Sequence, residues 1–248
     1  IQCCLVGSEM CIRDSDDVVL DFPFHNAGKT TIQKQFLSLF KGNNKKWFRA
    51  LAGIDLRIKK GSVVGIIGDN GAGKSTLLRV IGGIYRPDRG RVIVDGKVIL
   101  LASLGLGFSN DLPGRDNIYL TGGLIGMSEE EIAGKEQDII EFSGLNDFID
   151  APLRTYSSGM RARLGFSIAC HSKPEILLLD EVFSVGDYEF RRESKQKILE
   201  MVEGETTVVV VSHSIQTLEE ICDRIIYIEN GKISVSYTHL TLPTTHGV

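Results

Sequence analysis

The feature that most constrains this chain is the run Gly68-Asp69-Asn70-Gly71-Ala72-Gly73-Lys74-Ser75-Thr76. It follows Val63-Val64-Gly65-Ile66-Ile67, an apolar, β-branched run that predicts a buried strand. It precedes Leu77-Leu78-Arg79-Val80-Ile81, which predicts the first turns of a helix. Strand, glycine-rich turn and helix in that order are the setting of a phosphate-binding loop. Glycines reach backbone conformations closed to other residues, so successive N–H groups turn toward one anion while the helix N-terminus adds the positive end of its dipole. Lys74 is expected to reach the β- and γ-phosphates, and the Ser75 hydroxyl to sit on Mg²⁺.

A chain of 248 residues can bury one substantial α/β core with a small lobe attached. It carries 28 Lys and Arg against 32 Asp and Glu, so no chain-wide electrostatic pull toward nucleic acid is visible. No apolar run approaches the ~20 residues that cross a bilayer as a helix, and membrane association is expected only through a partner.

The two ends read as foreign. Ile1 to about Ser15 and about Val235 to Val248 show no periodicity that continues into the neighbouring chain, and both resemble peptides translated from sequencing-adapter DNA. They are expected to be non-native, and a natural C-terminal domain beyond residue 234 stays open. Setting them aside removes Cys3, Cys4 and Cys11 and leaves Cys170 and Cys222 in helix-like apolar patterns, where buried free thiols are expected.

In chain order, Asp17-Val18-Val19-Leu20-Asp21-Phe22 alternates like an edge strand that Pro23 ends. Gly28-Lys29-Thr30 repeats part of the loop motif, but it lacks the upstream strand and leading glycine and reads as a decoy. Ile32 to Phe40 predicts a short amphipathic helix, and Ile54 to Ile58 returns to strand alternation. Arg91 to Leu100 predicts a hairpin with Asp95-Gly96 at its tip, so antiparallel pieces on both sides of the loop would form a small β lobe. From Asn117 to about Phe148 the pattern is helical, with Ser128 as N-cap and Glu131 as its capping-box partner.

Three further stations carry chemistry. Tyr156-Ser157-Ser158-Gly159-Met160 puts small polar residues and a glycine at the start of a helix, a positive end able to receive an anion. Ile176-Leu177-Leu178-Leu179-Asp180-Glu181 is a fully apolar strand ending in two carboxylates. Ligands of parallel sheets bind at that edge, so Asp180 falls where Mg²⁺ would sit and Glu181 beside the γ-phosphate. Thr206 to His213 repeats the form, and His213 on the same edge is expected to face the γ-phosphate or the attacking water.

Gly68 to Thr76, Tyr156 to Met160, Leu177 to Glu181, Ser184-Val185-Gly186-Asp187 and His213, in that order, resemble the nucleotide-binding domain of ABC transporters from about Asp17 to Ser234. The resemblance names them Walker A loop, signature, Walker B strand, D-loop and switch histidine. It implies an α/β, P-loop NTPase fold of ABC type: a mainly parallel sheet core, a small antiparallel β lobe and an α-helical insert at about 117–165. The departing signature Tyr-Ser-Ser-Gly-Met, together with Gly107-Phe108 and Gly114 to Leu120, is similar to the subgroup that exports O-antigen, teichoic acid or capsular polysaccharide.

The same resemblance implies a cytoplasmic subunit held at the inner membrane through a permease. Two copies would close head to tail on ATP-Mg²⁺, with Ser157, Ser158 and Gly159 of one facing the phosphate loop of the other and Asp187 near the junction. Glu181, His213 and Lys74 would be catalytic, and Ser75 and Asp180 metal-binding. A permease helix would dock around Gly105 to Arg115 and Asp150 to Arg154. No Gln occurs between Ile93 and Tyr119, so the expected metal-touching glutamine is absent, leaving Ser103, Ser109, Asn110, Asp111 or a water to substitute. Phe22 and Phe24 are alternatives for stacking adenine, or are lobe core. An ABC-type ATPase acting on nucleic acid or ribosomes is the alternative function, though no heptad-bearing insert, fused second copy or basic patch accompanies the motifs.

Overall fold

The computed structural model describes residues 11–23, 47–102, 107–181 and 188–238. Strand β1 (Cys11–Pro23) pairs antiparallel with β2 (Trp47–Lys59) and with β4 (Arg89–Val92), giving a three-stranded sheet in the order β2-β1-β4. The main sheet holds β3 (Val63–Gly68), β5 (Val98–Ala102), β6 (Ile176–Asp180), β7 (Thr207–Val211), β8 (Arg224–Glu229) and β9 (Lys232–Thr238) in the order β5-β6-β7-β3-β8-β9. Its pairs are parallel except β8 with β9.

Composition explains the arrangement. The runs Ile176-Leu177-Leu178-Leu179 and Val208-Val209-Val210-Val211 are apolar at every position, which suits strands covered on both faces. One face is covered by α1 (Lys74–Ile81), whose Leu77 and Leu78 pack with Val64, Ile66, Leu178 and Val209. Three further helices cover the other: α4 (Ser158–His171), α5 (Tyr188–Glu203) and α6 (Ile215–Ile221) set Phe166, Phe190 and Leu218 against Leu177, Leu179, Val208 and Val210.

The helical insert consists of α2 (Gly114–Leu124), α3 (Glu129–Ser143), two short 3₁₀ turns and the start of α4. It closes on its own cluster of Ile118, Ile132, Ile139, Leu153, Leu164 and Ile168. Helix α4 belongs to both bodies, since Phe166 and Cys170 face the main sheet while Leu164 and Ile168 face the insert. The Ser128–Glu131 capping box forms in both directions, at 3.2 and 2.9 Å. Cys170 and Cys222 are buried and free, and desolvation pushes the Cys222 thiol up to about 12.

Two sequence expectations need adjustment. Arg91 to Leu100 is not a hairpin: β4 stays in the small sheet, while β5 crosses to the main sheet and pairs in parallel with β6, Ile99 opposite Leu177. Val98 to Leu101 is apolar on both faces, and an exposed two-stranded hairpin could cover only one. The 17–22 strand is also not an edge strand, since β1 lies between β2 and β4, where it pairs on both sides; β1 and β9 include residues of the two stretches set aside as adapter-like. Cys11 and Ile12 pair with Lys59 and Ile58, and Ser236 and Thr238 with Ile226 and Arg224. The predicted helix at Ile32 to Phe40, the decoy at Gly28 and Phe24 lie outside the described residues.

Candidate functional site

The phosphate loop leaves β3 at Gly68 and enters α1 at Lys74. Two of its glycines are fixed by close approach. A Cβ on Gly68 would lie 2.1 Å from the Ile228 carbonyl oxygen, and one on Gly73, at φ +105°, 2.5 Å from that of Ala50. Asp69, Asn70 and Gly71 are exposed at the tip, and Ala72 is buried with its N–H on the Asp69 carbonyl at 3.1 Å. Lys74 is buried, and its ammonium spans the loop to the carbonyls of Gly68 (2.8 Å) and Asp69 (2.9 Å). Thr76 is half-buried in the first turn of α1.

Ser75 reaches across the sheet edge, its hydroxyl donating to Asp180 Oδ1 at 3.0 Å although β7 lies between their strands. One residue on, Glu181 holds φ +58°, a left-handed conformation that costs a non-glycine residue about 1 kcal/mol or more and is fixed by its N–H on the Val211 carbonyl at 2.9 Å. That turn directs its carboxylate to His213 on the neighbouring strand end, with Oε1 2.7 Å from Nε2. Lys74, Ser75, Asp180, Glu181 and His213 thus share one edge of the parallel sheet, contributed by β3, β6 and β7.

The donor set was tested against the implied metal. Ser75 and Asp180 supply a hydroxyl and a carboxylate, and among the described residues no group of three or more His, Cys, Asp or Glu could hold an ion. Few protein ligands, all hard oxygens, suit Mg²⁺, which dehydrates reluctantly and takes its remaining positions from phosphate and water.

The signature lies apart. Ser157 is the N-cap of α4, its Oγ accepting the Met160 N–H at 3.2 Å; Ser157 and Ser158 are exposed and Gly159 is half-buried. Among the described residues no hydrogen bond or ion pair joins Ser157, Ser158 or Gly159 to Gly68–Thr76. Asp187 lies outside the described residues.

Of the residues considered for the missing glutamine, Ser103 also lies outside them. Asn110 and Asp111 turn instead toward Arg161 (2.8 Å) and Arg154 (3.0 Å), and the Ser109 N–H is held by Asn117 Oδ1 at 2.7 Å. Phe22 is half-buried against the main core cluster, its ring edge-on to Tyr85 with centroids 5.4 Å apart. Sequence reasoning passed over Trp47 and Phe48, which are 59% and 47% exposed where β2 begins. Their signal was two adjacent aromatics three and two residues before Ala50, whose carbonyl touches Gly73.

Residues 51–184 match the family model described as ABC transporter. The chain belongs to that family. Relatives include the O-antigen export system ATP-binding protein RfbB of Klebsiella pneumoniae, 42% identical over 81% of this chain and 80% of that protein. The RfbB of Myxococcus xanthus is 40% identical over 88% and 52%, and the teichoic acids export ATP-binding protein TagH of Enterococcus faecalis 46% identical over 81% and 44%. This ABC chain therefore spans about half the length of two of these relatives and four-fifths of the third. Among solved structures, the ATP-binding cassette MJ0796, a dimer in a post-hydrolysis state with ADP and Pi, superposes with a TM-score of 0.75 at 22% identity, covering 91% of this chain and 97% of that one. The ADP conformation of the cassette MJ1267 gives 0.67 at 20% identity over 93% and 92%. Both share its fold.

Proposed function

We propose that this chain is the ATP-hydrolysing subunit of an ABC exporter of lipid-linked polysaccharide, of the O-antigen, teichoic acid or capsular class. The observation that carries ATP hydrolysis is the Ser75–Asp180 contact at 3.0 Å, which joins the phosphate loop to the carboxylate edge where Glu181 and His213 meet. The substrate class rests on relatives named for O-antigen and teichoic acids export at 40–46% identity.

The residues divide the work as follows. The loop N–H groups and the N-terminus of α1 bind the triphosphate, and Lys74 exchanges its loop carbonyls for phosphate oxygens. Ser75 and Asp180 would hold Mg²⁺, which supplies positive charge against the developing charge on the phosphoryl oxygens. Glu181 orients or deprotonates the attacking water, and His213, already hydrogen-bonded to it, turns to the γ-phosphate. Ser157 to Gly159 make no described hydrogen bond to this edge and start a helix packed on the opposite face of the sheet from α1, and we assign them to the site of a second copy, head to tail. Losing the γ-phosphate then removes the anion between the halves.

Among the described residues no helix is long and apolar enough to cross a membrane. A peripheral place at the cytoplasmic face of the inner membrane follows from a permease partner, which we set against the exposed Leu112, Leu124 and Phe148 beside the 107–115 loop. Adenine is assigned to Trp47 or Phe48.

Glu181→Gln tests the enzyme reading: turnover by the purified chain should fall at least ~10²-fold with ATP affinity retained. A wild type no faster than this variant would leave only an ATP sensor. Polysaccharide export is tested in cells lacking the export ATPase. Lipid-linked glycan should leave the cytoplasm when this chain and its permease are supplied, and stay inside with the Glu181→Gln form.

A further inference from the structure

The loop after β5 and the turn before α4 are zipped together. The N–H groups of Arg154 and Leu153 donate to the carbonyls of Asn110 and Leu112, each at 2.9 Å, and those of Gly114 and Arg115 donate to Ala151 and Ile149 at 3.3 and 2.9 Å. Pro113 and Pro152 form an antiparallel bridge at the centre. The buried Asn117 fixes the loop's own shape, donating to the carbonyls of Ser109, Leu112 and Pro113.

This zipper stops at Arg154. Tyr156 and Ser157 then run extended, with ψ of 138° and 165°, before the helix begins. Tyr156 ties its hydroxyl to the Phe148 carbonyl at 2.7 Å, which anchors the turn to the insert rather than to the loop. Phe108 of the loop packs against the insert cluster that holds Tyr156 and Leu164, and one polar side chain makes a directed link. Arg161, in the first turn of α4, donates from Nη1 to Asn110 Oδ1 at 2.8 Å and from Nη2 to the Leu153 carbonyl at 2.9 Å. Its own N–H donates to the Ser157 carbonyl at 3.1 Å, so it belongs to the turn that presents Ser157, Ser158 and Gly159.

A planar guanidinium gripping two acceptors on different segments fixes direction as well as distance, which a single point contact would not. At its other end the loop's chain leaves β5 at Ala102, whose register partner on β6 is Asp180. The loop itself is joined through Arg161 to the turn that presents the signature.

We infer that Asn110 and Arg161 are a positioning pair that fixes the signature end of α4 against the 107–113 loop. The pair touches no phosphate; it aims the residues that do. The inference rests on the head-to-tail site proposed above and adds to it a pair of positioning residues that lie outside the phosphate loop.

The test uses the full chain. In the Glu181→Gln background, ATP-driven self-association is followed by sedimentation and nucleotide affinity by fluorescent ATP; turnover is measured with Glu181 intact. Asn110→Ala should weaken self-association and lower kcat by about fivefold, the order expected for a partly exposed hydrogen bond to a charged donor, with nucleotide affinity within about twofold. Asn110→Asp keeps the acceptor and should restore both. Arg161→Lys, which cannot fork onto two acceptors, should resemble Asn110→Ala. An Asn110→Ala protein indistinguishable from its parent overturns the inference. So does one that loses nucleotide affinity and melting temperature together and is not rescued by Asp, because that pattern is structural. If the Glu181→Gln parent itself fails to self-associate with ATP, the head-to-tail site has failed, and the inference falls with it.

Discussion

Glu181 shows how much of this site is decided by single residues. Its left-handed backbone is what turns the carboxylate from the strand axis toward His213, and the bond of its N–H to the Val211 carbonyl helps hold it there. Gly73 is under the opposite constraint, having no room for even one added carbon. Gly73→Ala should cost about 1–3 kcal/mol in urea unfolding and weaken ATP binding, because the added methyl would push the loop off the Ala50 carbonyl. The aromatics separate by burial. Phe22→Ala should lower stability by about 2–4 kcal/mol with little effect on ATP affinity, whereas Trp47→Ala or Phe48→Ala should weaken ATP binding at nearly unchanged stability. A Phe22 variant that lost affinity at unchanged melting temperature would return the adenine to Phe22.

At the scale of elements, α4 is the hinge between bodies, presenting the signature at its start and His171 at its end. The His171 ring is half-buried and gives its Nδ1 to the Ser167 carbonyl at 2.7 Å. Desolvation holds its pKa below the usual histidine value, opposed by the bond to the Ser167 carbonyl and by Asp138 of α3 and helped by Lys197 of α5 and Lys135 of α3, while the Phe142 ring stands edge-on to it. The unfolded chain therefore binds this proton more readily. The stability of neutral His171 is fully present above about pH 6.5 and is lost as pH falls toward its folded value. Thermal unfolding at about pH 7.5 and about pH 5.5 should show a smaller loss for His171→Phe than for wild type. An unchanged difference would mean that the ring charges at no cost.

Elements were legible in sequence where one face or one cap dictated them. Ser128 with Glu131, and the apolar runs of β3, β6 and β7, announce themselves by residue type alone. The 91–100 segment did not. Asp95-Gly96 is a good hairpin turn, but the choice between a local partner and β6 was made by apolar area on both faces of β5, a tertiary matter. The Asn110–Arg161 contact was equally illegible, since 51 residues separate two polar side chains with no motif between them.

For the whole molecule, the separation of Ser157 to Gly159 from the phosphate loop makes a subunit-mixing prediction possible. Lys74→Ala and Gly159→Asp chains should each be inactive. Mixed in equal amounts they should recover roughly a quarter of wild-type turnover, because half the dimers are mixed and each of those carries one intact site of two. No recovery at any ratio would place both residues in one subunit's own site.

The strand order has a further consequence for how the protein is made. β6, β7 and β3 are adjacent in space, yet the ribosome delivers β3 first, and β6 and β7 only after the helical insert. The Gly68 and Gly73 positions are set by backbone carbonyls of β8 and β2, so the phosphate loop takes its shape only when strands from both sides of it in the chain have joined the sheet. The late strands β7, which brings His213 to the carboxylate edge, and β8 are thus the same ones that flank β3 and complete the loop's frame.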